Sequence, residues 1–128
     1  MLSSNEEYDF DMKLTKIYKN KEEIKWINFL EYSEEYICKG NILRLYGFNE
    51  NEEYTDLLFF DPSEEDCSLG VIILSGKKSG NIFVYFPFEA RYNDTRLMSK
   101  RWLINNWSKW LSPSSDIKKS EFIYEFVT

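Results

Sequence analysis

Ser99-Lys-Arg-Trp-Leu-Ile-Asn-Asn-Trp-Ser-Lys-Trp-Leu111 carries three of the chain's four tryptophans and reads as one amphipathic helix. Leu103, Ile104, Trp107, Trp110 and Leu111 recur at the spacing that gathers side chains into one stripe of a 3.6-residue helix. Ser99 is placed to cap its start, and Ser112 with Pro113 to stop it, since proline has no N–H to continue the ladder. At about 100° per residue, Trp102 falls outside the stripe. It is either a flank packed on a neighbouring loop or an anchor for a partner.

The segments around this helix alternate as strands. Tyr36 to Tyr46 reads as a strand in which Gly40 marks a bulge or a close backbone approach. Leu57, Leu58, Phe59 and Phe60 form a continuous apolar run that implies cover on both faces, hence a central strand. Leu69 to Leu74 and Asn81 to Phe88 flank the glycine-bounded turn Ser75 to Gly80 and predict a β-hairpin, with Ile82, Val84, Phe86 and Phe88 on one face and Phe83 and Tyr85 on the other. Glu121 to Val127 alternates Phe122, Tyr124 and Phe126 as a last strand, and Phe10, Met12 and Leu14 alternate near the start. Lys21 to Tyr36 suits a short helix or an irregular segment, with helix preferred. The order is strands, helix, strand without βαβ alternation. It predicts an α+β fold: a mainly antiparallel β-sheet with the Trp-rich amphipathic C-terminal helix packed on one face.

At 128 residues, with 43% hydrophobic and 30% charged residues, the chain has the composition of one soluble globular domain. Its charge is uneven. Through Asp66 there are seventeen acidic and seven basic residues, and from Cys67 onward five and nine. The acidic excess argues for a partner with a basic surface, because complementary fields speed encounter; it also serves plain solubility. No stretch has the roughly 18 apolar residues of a membrane helix, and Met1 to Asp11 is acidic rather than signal-like, so the expectation is a cytoplasmic protein without membrane attachment. Cys38 and Cys67 are then expected to be thiols packed as small core residues.

The chain has no histidine, which removes the usual general base, the Ser-His and Cys-His pairs and the commonest transition-metal ligand together. The carboxylates cluster in polar loops, where solvent keeps them ordinary. Gly76-Lys77 lacks the spacing and the following helix of a phosphate loop, and the acidic loops lack the pattern of a calcium loop. An enzyme is not expected, nor is a cofactor or a metal. Lys77, Lys78, Arg91, Arg96, Lys100, Arg101 and Lys109, with Tyr92 and Trp102 interleaved, keep open the alternative of a small nucleic-acid-binding or adaptor module using the basic second half. The pI of 4.8 opposes binding to a polyanion.

Cys38-Lys-Gly-Asn-Ile-Leu-Arg44, then Ser75, Gly76 and Gly80, then Phe86-Pro-Phe-Glu-Ala90, then Trp102-Leu-Ile-Asn-Asn-Trp-Ser-Lys-Trp110 resembles a family of immunity proteins from bacterial polymorphic toxin systems, the one numbered forty-five. The resemblance covers about Trp26 to Val127, and the tryptophan segment is its most specific part. It implies a single domain over 1–128, with about 1–20 as a partly ordered extension. It further implies a cytosolic antidote that binds and neutralises the C-terminal toxin domain of a large effector, as in contact-dependent inhibition, with no catalysis of its own and neither nucleic acid nor membrane as partner. A nuclease toxin, with its basic substrate cleft, suits an acidic antidote. On this reading the acidic loops Glu50 to Asp56 and Asp61 to Asp66 are the docking surface, with Glu50, Glu52, Glu53, Asp56, Glu64, Glu65, Asp66 and Trp102 as candidate toxin-binding residues.

Overall fold

The structure, a computed structural model, describes residues 25–124. The Phe10-Met12-Leu14 alternation, the proposed extension and Phe126 lie outside the described residues. Eight strands are formed among them: β1 (Ile27–Asn28), β2 (Tyr36–Ile37), β3 (Ile42–Tyr46), β4 (Tyr54–Phe60), β5 (Cys67–Ile73), β6 (Ile82–Pro87), β7 (Met98–Ser99) and β8 (Glu121–Ile123). Six of them make one antiparallel sheet in the order β1-β8-β3-β4-β5-β6, and β2 pairs with β7 in a separate ribbon. The expectation of a mainly antiparallel sheet with helical cover holds, and β4 with β3 occupies the centre as the Leu57–Phe60 run implies. The predicted hairpin is β5 and β6.

The tryptophan stretch is not one long helix. It divides into α1 (Lys100–Asn105) and α2 (Trp107–Trp110), parted at Asn106, whose φ of −116° and ψ of 16° leave the helical region. The Asn106 side chain donates back to the Trp102 carbonyl at 2.8 Å, the local competition with the backbone that makes asparagine a poor helix-interior residue. The cap is as expected, with the Ser99 hydroxyl accepting the Trp102 N–H at 3.1 Å. The apolar stripe survives the break. Leu103, Trp107 and Leu111 are buried, Ile104 and Trp110 are partly so, and all join Leu43, Leu45, Leu57, Phe59, Val71, Phe86 and Phe122 in the main core.

Three other expectations change. The described part of the segment before Tyr36 is not an ordinary helix but the two-residue β1 and a 3-10 turn at Phe29–Glu31, capped by Asn28. The single strand over Tyr36 to Tyr46 is two strands in different sheets. Between them, the Asn41 side chain accepts the Cys38 N–H at 2.8 Å, and Gly40, at φ +93°, brings its N–H to within 2.7 Å of the Phe59 carbonyl. That is the close approach, made at a turn rather than within a strand. The hairpin faces also differ. Val71 pairs with Val84 but Ile72 pairs with Ile82, so Phe83 is an extra residue in β6. This bulge sends Ile82 to the face opposite Val84, while the Phe83 ring packs edge-on against Phe48 at 5.0 Å. Phe88 lies beyond β6 in a 3-10 turn and is exposed.

Candidate functional site

The far face of the sheet, opposite the helices, holds a smaller apolar cluster of Ile42 and Ile123 with Trp26, Leu58 and Leu74. Beside it Arg44 of β3 and Asp56 of β4 are direct cross-strand partners, joined by hydrogen bonds of 2.8 and 2.9 Å. The guanidinium also lies over the Trp26 ring at 4.2 Å and over the Tyr54 ring at 3.9 Å. Its hydrogen bonds to Asp56 and the carboxylate's charge hold the Arg44 proton more firmly than usual, against the opposing effect of burial.

This pair corrects one candidate. Asp56 is not on an acidic loop: β4 begins at Tyr54, three residues before the apolar run, and the Asp56 side chain is fully buried. A carboxylate already enclosed against Arg44 has no surface to offer a partner.

The other acidic candidates do not form one patch. Glu50, Glu52 and Glu53 belong to the 47–53 connection before β4, and Glu64, Glu65 and Asp66 to the 61–66 connection after it. Seven residues of extended strand separate these ends by about 20 Å. At the first end, Glu50 and Glu53 are exposed, whereas the Glu52 carboxylate accepts the Lys77 N–H at 3.1 Å and pins the hairpin turn. Gly76 sits there at φ +79°, and a Cβ would collide with the Glu52 carboxylate.

At the second end, two arginines clamp the loop backbone. Arg91 donates to the carbonyls of Glu64, Glu65 and Cys67 at 2.8 to 3.1 Å, and Arg96 donates to the Glu64 carbonyl at 2.9 Å. Arg96 also pairs with Asp61, and this bond is the main reason the Asp61 carboxyl stays below its ordinary range. Glu64, Glu65 and Asp66 remain exposed.

Those clamps also bear on the basic second half. Arg91 and Arg96 are engaged by the 61–66 loop, and Lys100 donates to the Tyr32 carbonyl, with burial lowering its affinity for the proton. Tyr92 donates to Glu35 at 3.0 Å. A polar groove of about 470 Å³ runs between these groups, lined by Glu34, Glu35, Arg91, Lys100 and Arg101 among others, so that its charges are of both signs. Lys77, Lys78, Arg101 and Lys109 are exposed, and where Arg101 meets Arg91 and Lys100 in this groove, Glu34 and Glu35 lie among them.

Trp102 is half-buried. Its ring meets Phe86 edge-on at 6.0 Å and Trp110 at 5.6 Å, which gives it a packing role in the main core. Off-stripe position alone did not reveal this, because the ring is covered by Phe86 of β6 and by Trp110 beyond the break at Asn106.

Sequence reasoning missed a second groove, of about 530 Å³, lined by Phe60, Asp61, Pro62, Glu64, Asp66, Cys67 and Tyr85. Pairing of Phe60 with Gly70 and of Gly70 with Tyr85 places the two aromatic residues on one face, and no single strand's pattern reports that.

A profile of the immunity protein 45 family matches residues 29–122, from the first 3-10 turn to the middle of β8. The chain belongs to the immunity protein 45 family. No curated protein and no solved structure gives a match. Members of an immunity protein family act as antitoxins that bind a toxin, typically without catalysis of their own. The matched span contains the whole of both acidic connections, the Arg44–Asp56 pair and the tryptophan segment, and leaves out β1 and the last residue of β8.

Proposed function

We propose that this immunity protein is a cytoplasmic antitoxin of a bacterial polymorphic toxin system, of the contact-dependent inhibition type, that binds and blocks the C-terminal toxin domain of its cognate effector. The observation that carries the reading is the family match across residues 29–122. The surface supports it: Glu50, Glu53, Glu64, Glu65 and Asp66 present carboxylates to solvent at both ends of β4. Such a surface draws in a basic partner, and a nuclease with a cationic substrate cleft is the toxin type it fits best. The protein acts by occupancy, supplying no chemistry.

The test is co-expression with the C-terminal domain of the toxin encoded beside this gene. Growth rescue together with a stable co-purified complex is the expected result, and toxicity undiminished by the folded protein overturns the reading. Changing Glu50, Glu53, Glu64 and Glu65 to lysine together is expected to slow association and abolish its salt dependence. Glu52 is left in place because its loss would loosen the hairpin turn as well.

A further inference from the structure

We infer that the groove between the 61–66 loop and the outer strand β6 is the anchor point for the toxin, and that its occupant is a basic side chain, arginine or lysine, on the toxin surface. This inference rests on the antitoxin reading and assigns the contact within it.

Among the described residues β6 is an edge of the six-stranded sheet, and it leaves large apolar side chains in solvent: Ile82 and Tyr85 are 48% and 49% exposed, and Phe88 just beyond is 50% exposed. Tyr85 stands beside a gap in the sheet surface at Gly70. The Phe60 ring fills that gap from the other side, so close that a Cβ at position 70 would lie 2.7 Å from its Cε1. Phe60 thereby reaches across β5 and meets the Tyr85 ring edge-on at 5.8 Å and 72°. Strands that are not neighbours thus build one aromatic wall, with Pro62 beside it, along an open groove of about 530 Å³. The bulge at Phe83 interrupts the regular ladder spacing of this edge and disfavours addition of a partner strand, so recognition falls to side chains.

Charge selects the occupant. Of the three groove carboxylates, Asp61 is paired with Arg96, whereas Glu64 and Asp66 have no bonded base among the described residues. The nearest arginines are held elsewhere, Arg91 on the carbonyls of Glu64, Glu65 and Cys67 and Arg96 on Asp61 and the Glu64 carbonyl. They fix the loop's shape and leave Glu64 and Asp66 exposed, which lowers the ordering cost of binding. A cation between aromatic faces and carboxylates gains from both at once. An apolar occupant would strip water from Glu64 and Asp66 without replacing it, and an anion would be repelled.

The experiment measures binding of the adjacent gene's toxin domain to the full chain and its variants, each checked for an unchanged melting temperature. Tyr85→Ala is expected to weaken binding at least tenfold, mostly through faster dissociation, and Tyr85→Phe to leave it near the parent value. Glu64→Gln combined with Asp66→Asn is expected to weaken it several-fold, whereas Leu30→Ala, an exposed apolar truncation on the 3-10 turn after β1, leaves it unchanged. One arginine or lysine of the toxin, found by alanine substitution, is expected to couple to the Glu64 and Asp66 changes in a double-mutant cycle. Parent-like affinity of the Tyr85→Ala and carboxamide variants overturns the groove as the anchor, and absence of any coupled toxin base overturns the basic occupant. In both cases growth rescue by the parent chain leaves the antitoxin reading standing. Failure of the parent chain itself to bind or rescue overturns that reading, and this site with it.

Discussion

Arg44 and Asp56 face each other across β3 and β4, joined by two charge-assisted hydrogen bonds and closed off from solvent. A pair of this kind is weak as a source of net stability, because desolvating both charges offsets their attraction, but removing one partner strands the other. Asp56→Ala is therefore expected to cost about 3–5 kcal/mol of folding stability, and Arg44→Met with Asp56→Leu to recover much of it. Urea denaturation of the three proteins checks this. An Asp56→Ala protein as stable as the parent shows that the guanidinium finds solvent or another acid.

The Asp61–Arg96 pair gives a pH dependence confined to acid. Asp61 has its carboxyl held below its ordinary value of 3.8, first by the Arg96 hydrogen bond and then by the Ser63 N–H. A depressed carboxyl contributes fully above the unfolded value and loses its contribution as pH falls through the native one. The 61–66 loop is accordingly expected to keep its shape near neutrality and to loosen below about pH 4. Asp61→Asn removes that acid-side dependence. Hydrogen exchange of the loop amides across this range, in parent and variant, measures it; equal profiles would show that the pair does not hold the loop.

The tryptophans are expected to rank by burial. Trp107 is nearly enclosed, stacks near Phe29 at 5.9 Å, and donates its indole N–H to the Ser115 carbonyl at 2.9 Å. Trp107→Ala is expected to cost roughly 3–5 kcal/mol. Trp102, half-open and packed on Phe86 and Trp110, is expected to cost less, and its truncation to lower stability by more than it weakens toxin binding. Thermal unfolding alongside toxin affinity separates the two effects, and the reverse ranking makes Trp102 a contact residue.

The strands were legible where a face is uniformly apolar. Leu57 to Phe60 announces a central strand because four successive apolar residues need cover on both sides. The start of that strand was hidden, since Tyr54-Thr55-Asp56 places a carboxylate where solvent is the ordinary expectation, and Arg44, which neutralises it, lies twelve residues earlier in the chain. The helix stripe was legible and its break was not, because Asn106 keeps the 3.6-residue spacing while its side chain takes the Trp102 carbonyl. The acidic loops could be found by composition, but their separation depends on β4 running as one strand between them. The Phe60–Tyr85 wall needed the cross-strand register and the bare backbone at Gly70, neither of which has a local pattern.

β8 sits inside the sheet, between β1 and β3, although it comes last among the described strands. Phe122 meets Leu43 on one side and Ile27 on the other, pairings that span most of the described chain. During synthesis β3, β4, β5 and β6 can assemble as a meander of near neighbours, yet among the described strands β1 pairs with β8 alone and must wait until residue 122 has emerged from the ribosome. Such long-range closure is slow relative to hairpin formation. The sheet is thus complete only after translation has passed β8, and until then β1 lacks its partner and β3 keeps an open edge.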